Sequence, residues 1–238
     1  MSEELGEFIE ILPPQKRVGE QWYQGTADAV YQNLYSITRE NPRFVIVVLA
    51  GDHVYKMDYA RMLRFHQDNK AALTLAAIEV PVADAHRFGV VAVDEAERVT
   101  AFQEKPDAPI TIPGSPDFVL ASMGVYIFDT EVLIRALGSE ENETAKHDFG
   151  KDIIPALIHE APVYSYRFYD ENKKAAKYWR DIGTLDAYFE ANMDLCQVNP
   201  EFNLYDPEWP LRTYQPQAPP ASSCSRKPAS GAARRSTR

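Results

Sequence analysis

Residues 44–55, FVIVVLAGDHVY, decide the fold. The first seven of them are apolar, follow one another without alternation and include several β-branched residues. A strand that is covered on both faces has this pattern, so residues 44–50 predict a buried parallel strand of an α/β sheet. The run stops at Gly51-Asp52-His53, which places the carboxylate of Asp52 just beyond the carboxyl end of the strand, where sheets of this class bind their ligands.

The residues that follow this strand have two interpretations. In one, Asp52 caps a helix over residues 55–67, since Asp is a favoured N-cap residue. In the other, Gly51 turns the chain sharply and leaves room for a ligand beside the Asp52 carboxylate. The stretch alone favours the cap, so a ligand site needs support from the rest of the chain.

The composition is that of an acidic globular protein. The chain has 238 residues, of which 45% are hydrophobic, and its formal net charge is −10. Residues 222–238 contain basic residues and no acid, so the rest of the chain is still more acidic. Such a charge argues against general nucleic-acid binding, which needs cations to neutralise phosphates. It allows a nucleotide site in which a divalent ion supplies the positive charge.

Cys196 and Cys224 are the only cysteines in the chain. They are too few and too far apart for a disulfide framework or a zinc site, so they favour a reducing compartment, and we expect a cytoplasmic protein. The first residues are acidic, and the longest apolar run is residues 44–50. We therefore expect neither a signal peptide nor a membrane-spanning segment.

Further strands and helices are predicted on both sides of the opening stretch. Thr26 is a candidate N-cap, because the apolar residues after it recur at helical spacing. A second buried strand is expected at residues 72–80, further strands at 119–128 and 163–169, a hairpin at 88–93 and 98–104, and a short strand at 8–12. Helices are expected from Thr130, near Pro155, and from residue 179 to 198, where Thr184 is a candidate cap.

Charged residues stand at the ends of several of these elements. Asp52 and Asp181 lie at turns, and Lys105 follows Glu104 at the end of a strand. A glycine, Gly25, stands just before the helix predicted from Thr26. If these positions converge on one sheet edge, two carboxylates and a lysine suit a Mg²⁺ ion that bridges phosphates. Taken singly, each has an ordinary structural explanation: a surface ion pair, a turn residue or a helix start.

Several other chemistries are not supported. The chain has no G-x-S-x-G nucleophile motif, no G-x-x-x-x-G-K-[ST] phosphate loop and no G-x-G-x-x-G fingerprint. Its five histidines do not have metal-ligand spacing.

Seven motifs together carry a specific resemblance. They are WYQGTADA (22–29), LAGDHVYKMDY (49–59), FGVV (88–91), FQEKP (102–106), ASMGVYIFD (121–129), HDFGKDIIP (147–155) and YWRDIGT (178–184). In this order they resemble the bacterial ADP-glucose pyrophosphorylases, also called glucose-1-phosphate adenylyltransferases, over about residues 5–221. That family makes ADP-glucose and diphosphate from ATP and glucose 1-phosphate in glycogen biosynthesis. The resemblance implies a Rossmann-like, mostly parallel α/β sheet of the GT-A-like sugar nucleotidyltransferase type.

The resemblance also implies roles for individual residues. Asp52 and Asp181 would hold the catalytic Mg²⁺, and Lys105 would bind the phosphate of glucose 1-phosphate. Together, Asp52, Lys105 and Asp181 would form the catalytic set. Further substrate contacts would come from Tyr23, Gly89, Glu104 and Ser122, and nucleotide contacts from Gly25 and Thr26.

The sequence departs from the family pattern at both ends. The family's opening strand and glycine-rich G-G-x-G-x-R-L-x-P-L-type loop, and its C-terminal left-handed β-helix, have no counterpart here. We therefore expect a partial catalytic domain at 1–198, a proline-rich linker at 199–221 and a disordered basic tail at 222–238. We also expect exposed apolar surface near residues 44–50 and no turnover by the isolated chain.

Three functional hypotheses remain open at this stage. The leading one is the adenylyltransferase, a homotetramer in the family. The second is a related sugar-1-phosphate nucleotidyltransferase that uses UTP or dTTP, against which the WYQGTADA and HDFGKD stretches speak. The third is a non-catalytic fragment that only binds a sugar phosphate or pairs with a complete subunit.

Overall fold

The computed structural model describes residues 11–13, 22–138, 148–168 and 178–206. Residues 1–203 form one compact unit, and residues 204–238 form a second, of which only the first three are described. The predicted basic tail, most of the predicted proline-rich linker and most of the predicted strand at 8–12 lie outside the described residues. In the described part of the chain, no helix is long and apolar enough to cross a membrane.

A six-stranded sheet forms the centre of the first unit. Its strands are β1 (Phe44–Val48), β3 (Leu73–Pro81), β4 (Gly89–Val93), β5 (Val99–Glu104), β6 (Phe118–Asp129) and β7 (Val163–Arg167). The strand order is β5-β4-β6-β3-β7, with β1 beside the second half of β6. The longest strand, β6, thus pairs with β3 along one edge and with β4 and β1 along the other.

Helices cover both faces of this sheet. On one face, Leu133 and Leu157 pack with Leu75 and Phe128 in one apolar cluster. On the other face, Met62 packs with Ala76 and Ile127 in a second cluster. Neighbouring residues of a strand thus enter opposite clusters, as the two-residue period of a strand requires. The helices are α1 (Thr26–Tyr31), α2 (Leu34–Thr38), α3 (Tyr59–Asp68), α4 (Thr130–Gly138), α5 (Ile154–Glu160) and α6 (Leu185–Leu195).

The α/β class is confirmed, but strand β1 differs from its prediction. It pairs antiparallel with β6, and among the described strands only β3 and β7 pair in parallel, so the described sheet is mixed instead of mostly parallel. Val47 is buried, whereas Ile46 and Val48 are 40% and 48% exposed. The prediction that both faces of residues 44–50 are covered is therefore wrong for the described chain, because an apolar run encodes neither strand direction nor coverage. The expected exposed apolar surface lies at Ile46 and Val48.

The chain after β1 also corrects the helix-cap interpretation of Asp52. Residues His53–Tyr55 form a short strand, β2, instead of the start of a helix. Helix α3 begins only at Tyr59, and its cap is Asp58, whose carboxylate accepts a hydrogen bond from the Ala60 amide at 2.9 Å. Asp52 therefore does not cap a helix, and its carboxylate is available to a ligand.

Two other predicted helix starts have different outcomes. Thr26 is the first residue of α1 instead of its cap, and Gly25 precedes it as the cap residue. Residues Trp179–Asp181, expected to open the last helix, form a short strand, β8. Helix α6 then starts after Thr184, whose hydroxyl accepts from the Ala187 amide at 3.2 Å, as predicted.

Candidate active site

Two short strands bring the predicted metal-binding carboxylates together. Strands β2 and β8 pair antiparallel, with His53 opposite Asp181. The Ile182 amide donates to the Asp52 carbonyl at 2.9 Å, which continues the ladder past the strand ends. Ligand atoms of Asp52, His53 and Asp181 consequently lie within 4.8 Å of one another. Two carboxylates that are distant in sequence therefore share one place at the end of β8.

Gly183 gives these carboxylates their space. An added Cβ at this residue would lie 3.0 Å from Oδ1 of Asp181 and 3.0 Å from Oδ2 of Asp52. The same Asp181 oxygen accepts a hydrogen bond from the Gly183 amide at 2.9 Å. A larger residue would push against both acids, so the glycine of the W-R-D-I-G stretch belongs to the geometry of the site.

Arg87 reaches the other oxygen of Asp181. Its Nη2 donates to Asp181 Oδ2 at 2.6 Å. Arg87 ends the 3₁₀ turn Val82–Arg87 that leads from β3 into β4. The sequence contained no signal for this contact, because the two residues are 94 positions apart and Arg87 lies in no motif.

A cavity of about 280 Å³ extends from these carboxylates along the sheet. Its wall contains seven of the nine residues predicted for the site: Thr26, Asp52, Gly89, Glu104, Lys105, Ser122 and Asp181. The wall residues come from separate segments of the chain, and the fold brings them together. Arg87, His53, Tyr126, Asp148 and Gly150 line the same cavity, and no role was predicted for them from the sequence.

Two predicted residues are not part of this wall. The Tyr23 hydroxyl accepts a hydrogen bond from Asn33 Nδ2 at 2.8 Å. The Gly25 carbonyl accepts from the Ala29 amide at 3.1 Å, within the first turn of α1. Their neighbour Thr26 does face the cavity, and its hydroxyl accepts from the Phe149 amide at 3.4 Å. Tyr23 and Gly25 therefore do not line the cavity, although Gly25 directly precedes Thr26, which does.

Glu104 is held in a narrow space beside two glycines. An added Cβ at Gly150 would lie 2.6 Å from Glu104 Oε2, and one at Gly89 would lie 3.2 Å from the same oxygen. Burial raises the pKa of the Glu104 carboxyl, the Lys105 and Lys151 charges oppose that rise, and the Asp148 charge adds to it. Glu104 is therefore a hydrogen-bond acceptor in a narrow space, and burial destabilises its ionised form.

Lys105 stands at the rim of the cavity. Its Nζ lies 3.9 Å from Glu104 Oε1, so the predicted opposite-charge pair is present. The side chain is 61% exposed, which leaves the ammonium open to a ligand. The Lys105 amide donates to the Phe88 carbonyl at 3.0 Å, and its φ of +47° is in the left-handed region. This backbone conformation turns the chain out of β5 directly after Glu104.

Ser122 and Tyr126 form a hydroxyl pair in the floor of the cavity. Their oxygens lie 3.2 Å apart, and the Ser122 hydroxyl also accepts from the Gly124 amide at 3.3 Å. Burial raises the pKa of Tyr126 to about 12, so the phenol stays neutral and able to donate a hydrogen bond. Both side chains project from β6, because residues four apart on a strand share a face.

Asp148 completes the acidic side of the wall. Its Oδ1 accepts from the Gly150 amide at 2.8 Å and from the Lys151 amide at 3.1 Å. It precedes the π-helical turn Phe149–Ile153, which leads into α5 at Ile154. The motif 147–155 was part of the resemblance, but the geometry is what puts Asp148 and Gly150 at the cavity.

The wall therefore combines four carboxylates with two cations. Asp52 and Asp181 stand together, and Glu104 and Asp148 form the other acidic group, while Arg87 and Lys105 carry the positive charges. Phosphates would be repelled by such a wall unless a divalent cation joined them, since an ion of that kind changes the sign of the local charge. Hydroxyl groups, by contrast, find several acceptors there.

Comparison with known proteins agrees with this chemistry. A family model described as "Nucleotidyl transferase" matches residues 2–198. The glucose-1-phosphate adenylyltransferase of Koribacter versatilis is 56% identical over 220 residues, which cover 92% of this chain and 52% of the relative. The enzyme of that name from Rhodopirellula baltica is 52% identical over 218 residues, covering 91% and 49%. The chain spans about half the length of the curated relatives it matches.

The packing at Gly89 makes a direct prediction. A Cβ at this buried strand position would lie 2.3 Å from Cζ of Phe102, so the ring would have to move. We expect Gly89→Ala to lower the free energy of unfolding by about 1–3 kcal/mol, the usual cost of overpacking. Urea denaturation measures this change. The matched control is Gly51→Ala, where nothing lies within 4 Å of the added Cβ, and equal midpoints for the two variants would contradict the packing described here.

Proposed function

This chain belongs to the nucleotidyl transferase family, and we propose that it carries the glucose 1-phosphate site of a glucose-1-phosphate adenylyltransferase. The reaction joins ATP and α-D-glucose 1-phosphate to give ADP-glucose and diphosphate, a step of glycogen biosynthesis. The observation that supports it best is the shared cavity, which combines the Asp52–Asp181 pair with Glu104, Lys105 and Ser122. The names of the relatives favour ATP over UTP or dTTP as the nucleotide.

In this proposal Asp52 and Asp181 hold a Mg²⁺ ion. The residues fit that ion, because carboxylate oxygens are its preferred ligands and the two acids lie within 4.8 Å of each other. Asp52 is exposed and Asp181 is partly exposed, so an ion can enter from solvent. When bound, Mg²⁺ supplies positive charge to the phosphates during transfer. His53 stands next to the pair, but its nitrogen is a poorer ligand for magnesium than oxygen.

The sugar phosphate is assigned to the other half of the cavity. Lys105 binds the phosphate by a charge-assisted hydrogen bond, which its exposed ammonium can form. The Glu104 carboxylate accepts hydrogen bonds from the sugar hydroxyls, and the Ser122 hydroxyl donates to them or accepts from them. Tyr126 and Asp148 add a donor and an acceptor to the same wall. Gly89 contributes space more than contact, because any side chain there would meet Phe102 and the Glu104 carboxylate.

The nucleotide is assigned to the side of the cavity formed by the start of α1. Thr26 supports this assignment, because its hydroxyl lies in the wall. Gly25 is the preceding residue and belongs to the nucleotide contacts in the proposal, and Tyr23 belongs to the substrate contacts. Because neither residue lines the cavity, both would act by shaping the segment that carries Thr26.

The chemistry requires positioning more than proton transfer. An oxygen of the glucose 1-phosphate phosphate group attacks the α-phosphorus of ATP, and the bond from that phosphorus to the bridging oxygen of the β-phosphate breaks. Diphosphate leaves with the electron pair. The nucleophile is already an anion, so no general base is needed. Lys105 holds the nucleophilic phosphate, and Glu104 and Ser122 hold the sugar. Together these contacts orient the phosphate oxygen for attack on the α-phosphorus.

Two further parts of the proposal concern the cellular setting. We propose that the protein is cytoplasmic, because a chain with only two cysteines favours a reducing compartment. A homotetramer is the assembly that the resemblance implies. The competing function, sugar-phosphate binding without transfer, has the same cavity. Because no turnover is expected from the isolated chain in either case, transfer assays with ATP, glucose 1-phosphate and Mg²⁺ separate the two only in a protein to which the family's glycine-rich loop has been added.

The sugar-phosphate assignment predicts the effect of removing Lys105. We expect glucose 1-phosphate to bind the chain, and Lys105→Ala to weaken that binding by about tenfold to a hundredfold, since a hydrogen bond to a charged group contributes about 1.5–3 kcal/mol. Isothermal titration calorimetry measures the affinity. Arg135→Ala, which removes an exposed cation from α4 away from the cavity, should bind like the unsubstituted chain. Equal weakening in both variants would show that only the overall charge matters.

The metal assignment predicts a change in thermal stability. Two neighbouring carboxylates repel each other until a cation arrives, so an ion that binds only the folded chain stabilises it by mass action, by about 2.7 kcal/mol at a hundred times its Kd. We expect millimolar Mn²⁺ to raise the melting temperature of the chain, and Asp52→Asn and Asp181→Asn each to remove the rise. A rise of the same size in both variants would place the metal somewhere else.

A further inference from the structure

Arg87 lines the cavity but has no part in the proposed reaction. Its guanidinium donates to Asp181 Oδ2 at 2.6 Å, the shortest side-chain contact to either metal-binding carboxylate among the described residues. The Arg87 side chain is 40% exposed and the Asp181 side chain 18%. The Arg87 side chain is therefore partly exposed to solvent, whereas the Asp181 carboxylate is mostly shielded from it.

The two oxygens of Asp181 have different surroundings. Oδ1 accepts from the Gly183 amide and lies, like Oδ2 of Asp52, 3.0 Å from the position of an added Gly183 Cβ. Oδ1 and the Asp52 carboxylate thus approach the same space beside Gly183, and Oδ2 accepts the hydrogen bond from Arg87. In the described part of the chain, Arg87 is the side-chain cation that bonds this acid pair. Its single charge offsets part of the repulsion between two carboxylates within 4.8 Å.

We propose that Arg87 is the resident counterion of the Asp52–Asp181 pair and that a divalent ion competes with it. The ion and the guanidinium need the same negative charge, and they repel each other when both are close. Arg87 therefore stabilises the site without metal and lowers its affinity for metal. This inference rests on the metal part of the proposed function, because it takes Asp52 and Asp181 as the ligands.

Two other roles for Arg87 give different results. As an ordinary surface ion pair it would contribute little, and its loss would change neither stability nor metal affinity. As a residue that orients Asp181 toward the ion, its loss would weaken metal binding, as the loss of a supporting hydrogen bond does. Competition alone predicts the opposite pair of effects: a less stable metal-free chain and tighter binding of the ion.

The experiment measures Mn²⁺ binding and stability in the same set of variants. Arg87→Gln keeps a hydrogen-bond donor but loses the charge, and Arg87→Lys keeps the charge. Arg180→Gln is the matched control, because Arg180 precedes Asp181 on β8 but bonds Asp194 at 3.1 Å. Electron paramagnetic resonance of free Mn²⁺ gives the Kd, and the melting temperature without metal gives the stability.

We expect Arg87→Gln to bind Mn²⁺ about tenfold more tightly than the unsubstituted chain, from the loss of one like charge next to a doubly charged ion. Its metal-free melting temperature should fall, and the Mn²⁺-induced rise should become larger. Arg87→Lys and Arg180→Gln should stay close to the unsubstituted chain. An unchanged or weaker Mn²⁺ affinity in Arg87→Gln overturns the competition.

The outcome also separates this inference from the proposed function. If Mn²⁺ binds the chain and Asp52→Asn and Asp181→Asn abolish the binding, the metal assignment stands, and an unchanged Arg87→Gln then refutes the counterion role alone. If neither the unsubstituted chain nor Arg87→Gln binds Mn²⁺, the metal assignment and the counterion role both fail.

Discussion

The pairing of β2 with β8 is the interaction on which the site depends. Each strand has only three residues, but their ladder places His53 opposite Asp181 and brings the Asp52 carbonyl to the Ile182 amide. Two acids are thereby forced into one small space, which is electrostatically unfavourable without a cation. Repulsion of this kind is typical of functional sites, because a folded chain tolerates it only where the surrounding structure holds it in place. In the described part of the chain the Arg87 guanidinium offsets part of this repulsion, and the proposed divalent ion would offset more of it.

The sheet connects this acid pair to the rest of the cavity. Strand β6 contributes Ser122 and Tyr126 to the floor, and the hairpin of β4 and β5 contributes Gly89 and Glu104 to the side. Glycines at the close approaches leave room for carboxylates that a larger residue would displace. In the proposed function, recognition of a sugar phosphate and binding of a divalent ion would therefore both depend on this packing.

The sequence predicted most of the longer elements, and seven of the nine residues that it indicated for the site line one cavity, but it did not predict the short strands β2 and β8 or the detailed contacts. The strands at 72–80 and 119–128, the hairpin and the Thr184 cap were correct because each has a local pattern. The direction of β1 was wrong, since an apolar run does not record its partner. Asp58 took the cap expected of Asp52 because the chain first forms β2. Arg87 could not be predicted, because its contact with Asp181 joins positions 94 residues apart and depends on tertiary structure alone.

We propose that one cavity holds a divalent ion at Asp52 and Asp181 and a sugar phosphate at Lys105. A crystal structure of the chain with Mn²⁺ and glucose 1-phosphate tests this proposal, because manganese is located by its anomalous scattering. We expect one anomalous peak in contact with both carboxylates, and phosphate density at the Lys105 ammonium in the same cavity. An anomalous peak away from Asp52 and Asp181, or a sugar phosphate bound outside the cavity, would contradict it.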